Sequence, residues 1–180
     1  MGDTHGVRER NRGAPLWGID RVRKAGQERK AEKFTTLSHH LDATLLRQAY
    51  HRLKRDAAPG VDGMTWDAYG ERLDARLCDL ESGIHRGSYP AHPGQRADIP
   101  KLDGRQRPLG IAALEDKVVQ RAVVGVLNAI HETNFLGFSD GFRPGRGQHD
   151  ALDALAAGIE NRAVNRILDA GIKGFLDAVS

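Results

Sequence analysis

Apolar side chains recur at helical spacing in the first half of the chain and predict two amphipathic helices. The first covers residues 42–55, and Asp42 is placed to cap its N-terminus. A loop with one proline and two glycines follows at 57–63. The second helix begins after Thr65, whose hydroxyl can cap it, and ends near Gly87. The apolar stripes consist of Leu41, Leu45, Ala49 and Leu53 in the first helix and of Tyr69, Leu73, Leu77, Leu80 and Ile84 in the second.

The pattern changes after residue 94, where the sequence predicts a β-hairpin. Residues 97–101 form a short edge strand, because Pro100 cannot donate to a ladder. Asp103 and Gly104 together are a hairpin turn signal. Residues 107–111 then form the return strand.

The second half of the chain alternates between apolar segments and one glycine-rich loop. Residues 114–132 predict a long helix, and 137–147 contain four glycines, one proline and two arginines, which is typical of a loop. Another helix opens at His149 or Asp150, and Val164 to Ile172 predicts a strand. This order of elements indicates an α+β fold.

Composition limits the class of protein. The chain has 180 residues, of which 39% are hydrophobic and 28% charged, so it fits one domain or one domain with a tail. No apolar run approaches the roughly 18 residues of a membrane span, and no secretory signal follows the first residues. The single cysteine, Cys78, excludes an internal disulfide framework and a multi-cysteine zinc site. We therefore expect a cytoplasmic protein without a membrane partner.

The small net charge of +3 is distributed unevenly along the chain. Residues 1–36 hold nine Lys and Arg against five Asp and Glu, whereas residues 37–180 hold eighteen against nineteen. The first segment also lacks apolar periodicity, which predicts a basic, flexible head. Such a head is either a solvated tail or a contact for nucleic acid.

Two further segments combine positive charge with turn residues. The predicted hairpin carries Lys101 and Arg107, whose side chains can meet a phosphate as a point charge and a bidentate fork. The loop at 137–147 places Arg143 and Arg146 just before a helix N-terminus, where anions are attracted. Both segments fit contact with RNA or a nucleotide, and solvated surface is the alternative.

Four blocks, taken in order and spacing, resemble bacterial group II intron reverse transcriptase/maturases from about Phe34 to Ser180. The blocks are PGVDGMTW, IPKLDGRQRPLGIAALEDKVVQ, FSDGFRPGRGQHDALDAL and LDAGIKGFLD. The resemblance implies the N-terminal extension, the fingers and the first palm strand of a right-hand polymerase. We accordingly expect three parts: the head at 1–36, a helical extension at 37–92 and a partial reverse transcriptase domain at 93–180.

The resemblance also implies an activity, partners and sites. The activity is RNA-directed DNA synthesis, and the partners are intron RNA or an RNA template, with a DNA primer in addition. The matching fingers positions for the nucleotide triphosphate are Lys101 and Arg107. The positions that match RNA-contacting blocks are Gly60, Val61, Asp62, Gly63, Arg143 and Arg146.

Departures from the family pattern concern the catalytic metal site. Gly171 stands where the family has its first metal-binding aspartate, and glycine offers no side-chain ligand. Asp169 lies two residues away, about 6.6 Å along a strand, which is too far to replace that ligand. Leu176 replaces an aromatic residue of the family, as do Asp98, His131, Asp140 and Arg166 at other positions. The intact family uses Mg²⁺, but we expect no cofactor here and assign no catalytic or metal-binding residue.

The second palm block of the family, with its Y-A-D-D-type aspartate pair, does not occur in these 180 residues. Together with Gly171, this predicts a truncated, catalytically inactive fragment of a group II intron-type polymerase. The alternative is a non-catalytic RNA-binding module that retains the fingers and the N-terminal RNA contacts. A third possibility, pairing with a separately encoded remainder, is disfavoured because such a hand would still lack the ligand at position 171.

Overall fold

The computed structural model describes residues 19–28, 37–100, 102, 104–161, 164 and 166–172. Lys101 lies outside the described residues. The described elements, in chain order, are α1 (Asp20–Glu28), a 3₁₀ turn (Ser38–His40), α2 (Ala43–His51), α3 (Trp66–Gly70), α4 (Leu73–His85), β1 (Gln95–Pro100), β2 (Gln106–Ile111), α5 (Leu114–His131) and α6 (Gln148–Asn161). The chain divides between Phe135 and Leu136 into two compact units, each with its own internal contacts.

Both predicted N-caps are present. The carboxylate of Asp42 accepts a hydrogen bond from the backbone N–H of Leu45 at 2.7 Å, which starts α2. The hydroxyl of Thr65 accepts one from Ala68 at 3.3 Å, which starts α3. These caps satisfy backbone donors that a helix leaves without internal partners.

The second predicted helix is divided into two. The backbone of Arg72 is non-helical, with φ −128° and ψ 35°, so α3 ends before α4 begins. A Cβ at Gly70 would lie 2.6 Å from the hydroxyl oxygen of Tyr50, which means that α3 approaches α2 closely at this point. This close approach is a tertiary contact that helical periodicity does not reveal.

The core of the first unit is formed by α1, α2, α4 and α5, together with Tyr69 of α3. Its buried residues come from both sides of residue 92, where we expected a domain boundary, so the helical extension and the following segment share one core. The core members are Ile19, Val22, Leu41, Leu45, Leu46, Ala49, Tyr50, Tyr69, Leu77, Leu80, Leu114, Val118, Ala122, Val126, Ala129 and Ile130.

The expectation of a flexible head needs correction for residues 19–28. Ile19 and Val22 are 2% and 3% exposed, and α1 packs on α5. Gly26 lies beside the backbone of Ile130, since a Cβ there would be 3.3 Å from its Cα. Two apolar residues and a glycine therefore join this segment to the core, and they are too few to give a visible periodicity. The remaining residues of the expected head, 1–18 and 29–36, lie outside the described residues.

The predicted hairpin is confirmed as an antiparallel pair. Gln95 lies opposite Ile111, and Pro100 lies opposite Gln106. Each strand is slightly longer than the sequence pattern indicated. Leu102 and Gly104 are described residues of the turn between the two strands, and Gly104 has φ +79°.

The second unit contains the glycine-rich loop and α6. The predicted helix is confirmed, and the carboxylate of Asp150 accepts a hydrogen bond from the N–H of Gly147 at 2.6 Å. The predicted strand at 164–172 is wrong for the residues described there, which have no regular structure. A strand needs a neighbour for its backbone groups, and the sheet found in the described part of the chain pairs β1 only with β2. Helices with a small sheet agree with an α+β class.

Candidate nucleic-acid interface

The segment Gly60 to Gly63 forms a tight turn. The N–H of Gly63 donates to the carbonyl of Gly60 at 3.0 Å, and Gly63 has φ +63°, a conformation that favours glycine. The carboxylate of Asp62 accepts from the N–H of Met64 at 3.2 Å. Val61 is 51% exposed at the tip of the turn.

The turn is fixed to the start of α5. Gly60 is buried against the backbone of Ala112 and Ala113, which immediately precede that helix. The Nζ of Lys117 donates to the carbonyl of Ala58 at 2.6 Å. Gly60 therefore allows the turn to pack against the start of α5. The side chains of Val61 and Asp62 face solvent.

A stacked aromatic pair joins α2 to the first residue of α3. The rings of Tyr50 and Trp66 are 4.4 Å apart and nearly parallel, and each ring's polar atom bonds the other residue's backbone carbonyl. The guanidinium of Arg55 lies 4.4 Å above the Trp66 ring. This cation–π contact holds the guanidinium of Arg55 on the outer ring of the stacked pair.

Two acidic residues in the first turn of α5 hold neighbouring segments: Asp116 bonds the segment that leads into β1, and Glu115 bonds α3. Asp116 is buried and accepts hydrogen bonds from the Tyr89 hydroxyl and, at 3.1 Å, from the N–H of His92. Glu115 accepts from the Tyr69 hydroxyl at 2.9 Å. Burial is the largest cause, and the acidic partners add to it; together they raise the pKa of both tyrosine hydroxyls well above its usual value.

The hairpin presents Arg107 to solvent. Arg107 lies directly opposite Ile99, and residues of β1 and β2 that alternate with this pair share its face. That face also carries Leu109, which, like Ile99, is close to half exposed. Arg107 is five residues before Ala112, about 17 Å along an extended strand. One small ligand therefore does not reach both Arg107 and the turn, although a polynucleotide can.

The two arginines of the glycine-rich loop bond to the loop itself. Arg143 donates to the carbonyls of Leu136 at 3.1 Å and Ser139 at 2.6 Å. Arg146 donates to the carbonyl of Gly137 and to the carboxylate of Asp140, both at 2.7 Å. Sequence reasoning assigned these arginines to RNA and missed their role in ordering the loop. The nearby acidic residue, Asp140, was the available signal.

The same loop exposes aromatic rings. Phe142 has φ +58° and a fully exposed side chain, and Phe138 is 80% exposed. A non-glycine residue in the left-handed region is strained. The internal hydrogen bonds of the loop hold Phe142 in this conformation, with its ring available for stacking.

The residues at the family's metal position do not fit a two-metal centre. Gly171 has no side chain, and Asp169 is exposed. Across the described ranges, no group of three or more His, Cys, Asp or Glu side chains is placed to hold a metal ion. None of the helices in the described part of the chain is long and apolar enough to cross a membrane.

Comparison with known proteins finds intron-encoded proteins among the chain's relatives. No family model matches. Protein YkfC of Escherichia coli K12 is 35% identical over 124 residues, which are 67% of this chain and 32% of YkfC. Group II intron-encoded protein LtrA of Lactococcus lactis is 29% identical over 163 residues, which are 89% of this chain and 27% of LtrA. An uncharacterised 91 kDa protein in the cob intron of Schizosaccharomyces pombe is 38% identical over 59% of this chain.

The chain is thus homologous to proteins encoded within introns. More particularly, it is related to the group II intron-encoded proteins, which confirms the resemblance to reverse transcriptase/maturases seen in the four sequence blocks. It spans about a third or less of the length of YkfC and LtrA.

Proposed function

We propose that these 180 residues bind intron RNA and do not polymerise DNA. They correspond to the N-terminal extension, the fingers and the beginning of the palm of a group II intron-type RNA-directed DNA polymerase. Residues 37–92 supply the extension and 93–180 the partial polymerase domain. The observation that carries the proposal is a contrast: the turn at 60–63 and the hairpin retain the residues of an RNA-facing surface, whereas position 171 has lost its carboxylate.

The glycine at position 171 removes a carboxylate, and neither packing nor backbone conformation requires a glycine there. A Cβ on Gly171 would meet nothing within 4 Å, and its φ lies outside the range that favours glycine. An aspartate would therefore fit. Phosphoryl transfer by two metal ions needs carboxylates that hold both ions near the reacting oxygens. Because position 171 offers no carboxylate, we expect the described residues to bind RNA without holding the first catalytic metal ion.

The retained surface has the composition that RNA binding requires. The turn at 60–63 exposes Val61, and the hairpin exposes Arg107, which lies about 17 Å along an extended strand from Ala112, where the turn is seated. Positive side chains neutralise backbone phosphates, and exposed apolar or aromatic groups pack on bases. Such a surface is better suited to bind an extended polyanion than a small molecule.

A self-contained RNA-binding module is the second candidate, and the packing of α1 favours it. Ile19 and Val22 complete a core that also draws on α2, α4 and α5. No buried side-chain polar atom in the described residues lacks a hydrogen-bond partner. The first unit therefore has the features of a domain that folds without additional chain.

RNA binding is tested by filter retention of a structured group II intron RNA over a range of salt concentrations. The proposal predicts binding at low salt with an affinity that falls linearly on a log–log plot against salt, because phosphate contacts release counterions. A chain of the same fold that retains no RNA at 50 mM salt contradicts it; circular dichroism of the same sample shows whether the helices are present.

A further inference from the structure

Tyr50, Trp66 and Arg55 form a stack of three layers. The rings of Tyr50 and Trp66 are 4.4 Å apart with 13° between their planes, and the guanidinium carbon of Arg55 lies 4.4 Å from the centre of the Trp66 ring. One face of an indole has no room for both neighbours at that distance, so they cover opposite faces. Tyr50 is buried at the inner end of the stack, and Arg55 is exposed at the outer end.

Hydrogen bonds fix the orientation of the two rings. The Nε1–H of Trp66 donates to the carbonyl of Tyr50 at 3.1 Å, and the hydroxyl of Tyr50 donates to the carbonyl of Trp66 at 2.8 Å. These reciprocal bonds prevent the indole from turning away from Tyr50. The guanidinium of Arg55 thus rests on a rigid surface and is partly ordered before a ligand arrives, which lowers the entropic cost of binding.

No described carboxylate neutralises the charge of Arg55. Its sequence neighbours Lys54 and Asp56 pair with each other at 3.2 Å, and Arg55 forms no salt bridge with a carboxylate in the described part of the chain. A guanidinium that stacks on a ring uses one planar face and keeps the N–H donors along its edge for other partners. The outer face and the edge of Arg55 are therefore open to a ligand.

We propose that the outer face of Arg55 stacks on one base of an RNA strand while its edge donates to a phosphate of that strand. The proposal rests on the proposed function, because it names a contact by which the chain holds RNA. Unpaired RNA bases stack on guanidinium planes, and the arginine fork matches two phosphate oxygens. Trp66 follows Gly63 by three residues, at most about 11 Å of extended chain, so a strand on this platform can also reach the turn at 60–63.

Two strands of equal length and charge separate stacking from electrostatic attraction. The affinity of the full chain is measured for single-stranded polyadenylate and for an abasic ribose-phosphate strand. The wild type should prefer polyadenylate, and Arg55→Lys, which keeps the charge without the plane, should reduce this preference by about 5- to 150-fold, the range for one stacked base. Arg86→Gln is the control, since Arg86 is exposed but stacks on no described ring, and it should keep the wild-type preference.

The dependence of polyadenylate affinity on salt tests the phosphate contact. Arg55→Gln should reduce the slope of log K against log salt by about 0.7, as expected for the loss of one phosphate contact to a single strand. Arg55→Lys and Arg86→Gln should keep the wild-type slope. Circular dichroism of each variant shows whether the helices are retained, which the exposure of Arg55 predicts.

The outcomes separate this proposal from the broader one. If structured intron RNA is retained but Arg55→Lys keeps the same base preference as Arg86→Gln, the platform is overturned and the proposed function stands. If the wild type retains no intron RNA yet prefers polyadenylate and loses that preference in Arg55→Lys, the proposed function fails and the platform stands. Equal affinity of the wild type for the two strands overturns the platform, because binding then depends on charge alone.

Discussion

Gly60 and Ala113 are in backbone contact, so that a Cβ added at position 60 would lie 2.5 Å from the Ala113 Cα and 2.8 Å from the Ala112 carbonyl oxygen. The turn that we assign to RNA is therefore seated directly on the start of α5. Because both partners are backbone atoms, neither can rotate away as a side chain would.

Replacing Gly60 with alanine should destabilise the chain. The added methyl group forces the turn away from α5, and overpacking of this kind costs about 1–3 kcal/mol of unfolding free energy. Urea unfolding measures the change. Gly110→Ala is the matched control, since a Cβ there meets nothing within 4 Å, and it should stay within about 0.5 kcal/mol of the wild type. Equal stabilities for the two variants would show that the turn is not seated on α5.

The tyrosines should resist ionisation while the chain is folded. Burial raises the pKa of Tyr69 and Tyr89, and to a lesser extent that of Tyr50, above the usual value near 10. A raised folded pKa gives stability that is present below the unfolded pKa and is lost as the pH rises above it. Stability should therefore fall as the pH rises past about 10. Tyrosinate absorbance near 295 nm should appear together with unfolding, and its appearance in a folded chain at pH 10 would contradict the hydrogen bonds to Glu115 and Asp116.

Phe142→Gly should stabilise the loop of the second unit while weakening RNA binding. Glycine adopts φ near +58° without the strain of a side chain, a difference of about 1 kcal/mol. Loss of a stacking ring costs about 1–3 kcal/mol of binding per base. Phe138→Gly is the control, because Phe138 is also exposed but has no positive φ. Hydrogen exchange at 136–147 and RNA retention check the two effects, and slower exchange in the control than in Phe142→Gly would refute the strain argument.

Hydrogen exchange should divide the chain according to its backbone pairing. The amides of α2, α4 and α5 surround the core and should exchange slowly. The described residues from 166 to 172 have no regular structure, and Ile167, Leu168 and Ile172 are largely exposed. Their amides should exchange at nearly the rate of an unfolded peptide. Strong protection at 166–172 would mean that this segment has found a strand partner.

Local signals were sufficient to predict much of the fold. Asp42 and Thr65 cap helices because their side chains bond amides three residues ahead, and such bonds depend on adjacent sequence alone. The long helix α5 follows from an apolar stripe over several turns. The hairpin follows from an Asp-Gly turn signal between two extended segments.

The missed features depend on contacts between distant residues. Tyr89 and Asp116 are 27 positions apart, and Gly26 lies beside Ile130, so neither contact has a sequence signature. The expected strand at 164–172 had suitable side chains, but a strand depends on a neighbour that local sequence does not supply. The nucleotide-facing assignments of Lys101 and Arg107 came from family resemblance and stay predictions.

The most direct test of the central claim is a primer-extension assay on the same samples that retain RNA. Labelled dNTP incorporation is measured on an RNA template with an annealed DNA primer, with Mg²⁺ and separately with Mn²⁺. The account predicts RNA retention and incorporation no higher than in a control without protein, because Gly171 offers no ligand to the catalytic metal. Incorporation above that control, abolished by Lys101→Ala, would contradict the account.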